Sequence, residues 1–252
     1  MSEKNEIIAN DKLVQLAEEL KLFYLSKNID ILNKEIVEKN LSPKAALEFI
    51  LEEEQKDRQK RFSENRVARA KISQDLSLDN FNFNLLSLNE ETLIKNIMNT
   101  QFTENNTNFL LVGNHGVGKT HLGSAIVRKA CFNEKTGYAE SVKDMCRKLV
   151  LSHKLGNWYE VAKVYLECDI LFLQDVATIP LELDEVAALY EIVAQREGHG
   201  CIIIETCVST KDWFNRMADD DVLVSGILER LQKNCIVIKF EGQSRRLENK
   251  KK

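Results

Sequence analysis

The residues Gly113-Asn114-His115-Gly116-Val117-Gly118-Lys119-Thr120 are the part of the chain best suited to chemistry. Their spacing, G-x-x-x-x-G-K-[ST], is that of a phosphate-binding loop. Glycine opens backbone conformations closed to other residues, so successive N–H groups turn inward onto phosphate oxygens. A helix starting where the loop ends adds a partial positive charge. Lys119 is placed to reach β- and γ-phosphates, and the Thr120 hydroxyl is a ligand for Mg2+. A chance glycine turn is the bland alternative. Against it stand the apolar strand Phe109–Val112 before the loop and the apolar helix face after it. All eight loop residues are therefore expected to bind a nucleotide, with ATP and Mg2+ as the cofactors.

Triphosphate chemistry also needs a carboxylate at the tip of a second buried strand, to hold Mg2+ or its water. Ile170-Leu-Phe-Leu-Gln-Asp175 is such a strand, so Asp175 joins Thr120 as an expected metal-holding group. A turn-capping acid is its bland reading. Gln174 precedes it and Val176 follows, so one acid must do work usually divided between two. Asp169 lies at the other end of the strand, about 20 Å away, too far to substitute. Arg230, in Leu228-Glu-Arg-Leu231, and Arg246, in Gly242-Gln-Ser-Arg-Arg-Leu247, are candidate cations for a γ-phosphate. From composition alone, a surface arginine is the plainer reading of each. The candidate catalytic set is Lys119, Asp175, Arg230 and Arg246.

These groups need a frame. After the loop, Leu122, Ala125, Ile126, Val127 and Ala130 predict a helix packed on a sheet. Strands are expected at 137–140, 170–175, 200–206 and 235–240, separated by helices near 141–151, 158–166, 184–195, 212–217 and 223–231. Alternating strands and helices imply an α/β core with a parallel, doubly wound sheet. Residues 1–75 read as a small all-helical domain, with a cap at Asp11, another at Ser42-Pro43, and the ATPase core from 76 to 252. A further helix is expected at Asn89–Met98. Between Lys56 and Lys71, seven basic residues face only Asp57 and Glu64. Such a run is usually a solvated face paired at i,i+4 with the acids upstream; a phosphate-contacting helix is the sharper reading.

The bulk numbers exclude several classes. A net charge of −4 gives no global attraction to nucleic acid or anionic membranes, so any such contact must be local. No apolar run is long enough to span a bilayer and no signal-peptide core is visible, so the cytoplasm is the expected location. Six scattered cysteines form no C-x-x-C pair and read as small buried hydrophobes.

In sequence the chain resembles the IstB/DnaC-like branch of the AAA+ ATPases. The resemblance rests on Leu41-Ser-Pro43, the acidic stretch ending in Glu54, the basic run into Leu78-Asp-Asn-Phe-Asn-Phe83, and Gly118-Lys-Thr-His-Leu122. Pro180, Trp213, Leu228-Glu-Arg-Leu231 and Glu241-Gly-Gln-Ser-Arg-Arg246 continue it. It implies an ATPase that assembles into rings or spirals, with Arg230 of one protomer reaching the next protomer's nucleotide and Arg246 in a sensor segment. It implies contact with DNA, through 56–71, and with a transposase or a replicative helicase. A transposition helper that assists target choice is the first reading. A DnaC/DnaI-like helicase loader and a nucleotide switch with little turnover are the alternatives, with a small-molecule kinase behind them. Two departures favour slow turnover: Gln174 replaces the first of two acids, and Cys207 stands where a polar Asn is usual.

Overall fold

The computed structural model describes residues 12–73, 75–87, 90–92, 94, 106–218 and 220–240. The chain divides into two compact units, Met1–Glu64 and Asn65–Lys252. The expected cap at Asp11, most of the expected helix 89–98, and Arg246 lie outside the described residues.

The first unit is helical. Residues 12–19 form a short helix, followed by α1 (Phe23–Glu38) and α2 (Pro43–Arg69), whose residues from Asn65 onward are counted in the second unit. Ser42 caps α2 by accepting from Ala45 N at 3.4 Å. Helix α1 has no side-chain cap of its own at Leu22. A buried carboxylate on α2 supplies one: Glu54 Oε2 accepts from Tyr24 N at 2.7 Å and Leu25 N at 3.1 Å. Negative charge there offsets the positive end of the α1 dipole. Arg61 lies 3.4 Å from Glu54 and 2.6 Å from Asp57, and Arg58 lies 3.9 Å from Glu54. Much of the basic run is thus engaged locally.

Among the described residues, the second unit is built on five parallel strands: β1 (Asn108–Gly113), β2 (Gly137–Ser141), β3 (Ile170–Gln174), β4 (Cys201–Thr206) and β5 (Cys235–Phe240). Their order is β2-β3-β4-β1-β5. Helix α3 (Lys119–Phe132) follows β1; α4 (Val142–Leu155) and α5 (Trp158–Glu167) follow β2; α6 (Leu183–Gln195) follows β3; α7 (Asp221–Gln232) precedes β5. The expected helix at 212–217 is a 3-10 segment, Thr210–Arg216.

Alternation along each strand sorts side chains between two cores. Phe109, Leu111, Ile170, Phe172, Cys201 and Ile203 pack with Leu122 and Ile126 of α3. Leu110, Leu171, Leu173, Ile202 and Ile204 pack on the other face with α4, α5, α6 and α7. Val67, Ala70 and Ile72 belong to the α3-side core. The helical period breaks near Ser73, but these residues already pack with the sheet. Among the described residues, no helix is long and apolar enough to cross a membrane.

Candidate functional site

Strand β1 delivers the chain to the C-terminal edge of the sheet, where the glycine loop turns it into α3. Gly118 takes φ +107°, a conformation open to glycine at little cost, and the helix begins at Lys119. A Cβ on Gly113 would lie 2.6 Å from the Phe240 carbonyl oxygen, so the loop base tolerates no side chain against β5. Val117, 1 % exposed, plugs the loop into the α3-side core.

Lys119 is buried, and its ammonium donates to the carbonyls of Gly113 and Asn114, each at 2.8 Å. The lysine therefore braces the loop from within. A cleft of about 500 Å³ lies open beside it, lined by Gly116, Lys119, Thr120, Asp175, Thr178 and Glu205 among others. That volume is in the range of small-molecule sites.

Asp175 is the first residue past β3. It is exposed and held at φ +55°. The turn is fixed to the end of β4: Val176 N donates to Glu205 O at 2.9 Å, and the Thr206 hydroxyl donates to Val176 O at 2.8 Å. The loop and Asp175, at the tip of β3, thus line one cleft. Cys207 follows β4, with its sulfur 3.3 Å from the hydroxyl of Thr178.

Glu205 is a site residue that the sequence reading does not single out. Its Oε1 accepts the Thr120 hydroxyl at 2.7 Å and lies 4.0 Å from Lys119 Nζ. The available signal is its place in Cys201-Ile-Ile-Ile-Glu-Thr206: a carboxylate next to last in an otherwise largely aliphatic run, in phase with residues 201 and 203. The connector also contributes. Leu76 lines the cleft, His121 Nε2 sits 3.0 Å from Ser77 O, and its ring meets Phe81 edge-on at 5.2 Å.

Arg230 does not join this cleft. Its Nε lies 3.1 Å from Glu197, and its guanidinium covers the Tyr190 ring at 5.1 Å. It lines a second cleft, of about 450 Å³, with Asn108, Glu197 and Gly200 at the opposite edge of the sheet.

The donor set suits the expected cofactors. The inward-turned glycine loop and helix start fit a polyphosphate. Thr120, Asp175 and Glu205 offer hard oxygen donors of the kind Mg2+ takes, with phosphate and water completing its shell.

A glycine loop after the first of five parallel strands in the order β2-β3-β4-β1-β5 defines a P-loop AAA+-like α/β fold. The DnaC helicase loader crystal structure has the same fold, with a TM-score of 0.56 over 67 % of this chain and 98 % of that one, at 21 % identity. Within that class, the chain belongs to the family of IstB-like ATP binding proteins, whose model matches residues 15–252. Two relatives named for ATP binding come from insertion sequences. The IS5376 protein of Geobacillus stearothermophilus is 25 % identical over 84 % of each chain. The IS21 protein of Pseudomonas aeruginosa is 26 % identical over 96 % of this chain and 91 % of its own.

Proposed function

We propose that this protein binds ATP–Mg2+ in the loop cleft, hydrolyses it slowly, and assembles on DNA to help a transposase choose its target. Cytoplasmic action accords with that role. Lys119 neutralises the phosphates. Thr120 and the cleft acids Asp175 and Glu205 hold the metal and orient water. Bound there, Mg2+ would neutralise developing phosphate charge.

The observation that carries the assembly reading is the separation of Arg230 from its own loop. A cation at the opposite edge of the sheet suits delivery to a neighbouring subunit's nucleotide, which is a head-to-tail contact and hence a ring or spiral. Arg246 is proposed as the sensor cation. Residues 1–75 are proposed to contact DNA. Arg58 and Arg61 are largely engaged with Glu54 and Asp57, so the exposed Lys60 and Arg69 are the freer phosphate contacts.

The test is ATP turnover with and without duplex DNA, with mass measured in solution under the same conditions. Turnover and mass should rise together when DNA and ATP are both present. A monomer whose turnover ignores DNA would end this reading. A nucleotide switch with negligible turnover is the second reading, favoured by Gln174 at the tip of β3 and Cys207 after β4. A turnover rate abolished by Lys119→Ala would eliminate it. Co-purification with a hexameric helicase rather than a transposase would favour a loader.

A further inference from the structure

The second strand of a P-loop core supplies the carboxylate that stands beside the loop hydroxyl at the metal. Here that strand, β3, ends in a neutral residue on the relevant face. Ile170 and Phe172 point toward α3, so Gln174 continues that phase. Asp175 falls on the alternate phase, past the strand, exposed and turned at φ +55°.

Strand β4 lies between β3 and β1. Cys201 and Ile203 face α3, so Glu205 continues on the same side as Gln174. The parallel register pairs Leu173 with Ile204, which sets Gln174 and Glu205 at one level on adjacent strands. Glu205 is 6 % exposed, and its carboxylate already accepts the Thr120 hydroxyl at 2.7 Å.

We propose that Glu205 is the metal-positioning carboxylate of this protein, the acid having moved one strand over, from the tip of β3 to the tip of β4. This rests on the reading of the cleft as an ATP–Mg2+ site. The geometry favours the move. Adjacent strands are about 4.8 Å apart, so β4 brings an acid one step closer to the loop. Glutamate adds a methylene of reach. By accepting the hydrogen bond that the Thr120 hydroxyl donates, the carboxylate leaves that oxygen's lone pairs free to face a cation. Its negative charge supplies what the Gln174 amide lacks, and Asp175 is left to orient water. A purely structural role, neutralising Lys119 at 4.0 Å, is the competing explanation.

The two are separated by metal dependence. A fluorescent ATP analogue is titrated into the full chain with Mg2+ and with EDTA, and the ratio of affinities is taken. Manganese binding to the nucleotide complex, read by electron paramagnetic resonance, gives a second measure. The wild-type ratio should be about tenfold or more, which is about 1.4 kcal/mol. Glu205→Gln should bring it near one and release bound Mn2+; adding Gln174→Asp to that variant should restore both. The loss should be larger in Glu205→Gln than in Asp175→Asn. Should Glu205→Gln not fold, Glu205→Asp keeps the charge but shortens the reach: a reduced ratio supports the assignment and an unchanged one overturns it. A wild-type ratio in Glu205→Gln, a larger loss in Asp175→Asn, or no metal enhancement in the wild type also overturns it. If the wild type binds no nucleotide in either buffer, the cleft reading itself fails. If it binds with metal enhancement that Glu205→Gln retains, only the reassignment fails.

Discussion

Lys119 and Arg230 are tethered to opposite ends of the same strand. The Lys119 ammonium donates to the carbonyl of Gly113, the last residue of β1. The Arg230 carbonyl accepts at 3.5 Å from the side-chain amide of Asn108, the first. Five strand steps, about 17 Å, separate the two anchor points. An arginine acting on a γ-phosphate from there must act on another subunit's nucleotide. Arg230→Ala and Lys119→Ala should each lower turnover at least about 100-fold, in the range for losing one charge-stabilising group. Mixed together, they should regain activity, because some interfaces then combine an intact loop with an intact arginine. A mixture no more active than the sum of its parts would count against action between subunits.

Gly123 sits where α3 crosses β3. A Cβ there would meet the Phe172 ring at 2.3 Å. Gly123→Ala should destabilise the second unit by about 1–3 kcal/mol, the usual cost of overpacking a filled core. Urea unfolding followed by circular dichroism measures this, and a midpoint equal to wild type would mean that the helix shifts freely.

The six thiols should differ sharply in reactivity. Burial pushes Cys131 and Cys235 up to about 11 and Cys146 to about 12, and raises Cys168 and Cys201 as well. Protonated thiols are poor nucleophiles. Cys207 is half-buried beside the cleft-lining Thr178. One thiol should react quickly with Ellman's reagent near pH 8, should be lost in Cys207→Ser, and should be slowed by ATP with Mg2+. Several fast thiols, or an undiminished fast phase in Cys207→Ser, would contradict this.

Glu140, at the end of β2, gathers Lys148, Tyr165 and Lys71 around one carboxylate. Burial pushes its pKa up, but hydrogen bonds from Lys148 and Tyr165 and the charges of Lys148 and Lys71 outweigh it and hold it below the ordinary 4.5. A depressed folded value means that the stabilisation is complete above the ordinary value and is lost as pH falls through the depressed one. Glu140→Gln should therefore cost more stability at pH 7 than in the acid range below about 4.5. Chemical denaturation at several pH values measures it, and an equal cost throughout would refute the linkage.

Much of this was legible in the chain. Five apolar runs became five strands because aliphatic stretches between helix caps have one economical place to go, a sheet buried on both faces. Ser141 caps α4 by accepting from Asp144 N at 3.2 Å, as its type and position indicate. Asp169 is remote from the loop, where it accepts from Thr136 N at 2.7 Å. Strand order was not legible, because it is set by packing between distant segments. That order places β4 against β1, and with it Glu205 against Thr120. A search confined to the tip of β3 finds Asp175 and misses the acid already touching the loop. The local pairing of Arg58 and Arg61 with Glu54 is half legible: the i,i+4 spacing to Arg58 is in the sequence, but the use of Glu54 to cap α1 is not.

The most direct measurement is calorimetric titration of ATP with Mg2+ into the wild type and Lys119→Ala. The wild type should bind one ATP per chain. The variant should bind at least about 100-fold more weakly, about 2.7 kcal/mol, while keeping its far-ultraviolet circular dichroism. Equal affinities, or no binding by the wild type, would show that the loop between Gly113 and Thr120 does not hold a triphosphate.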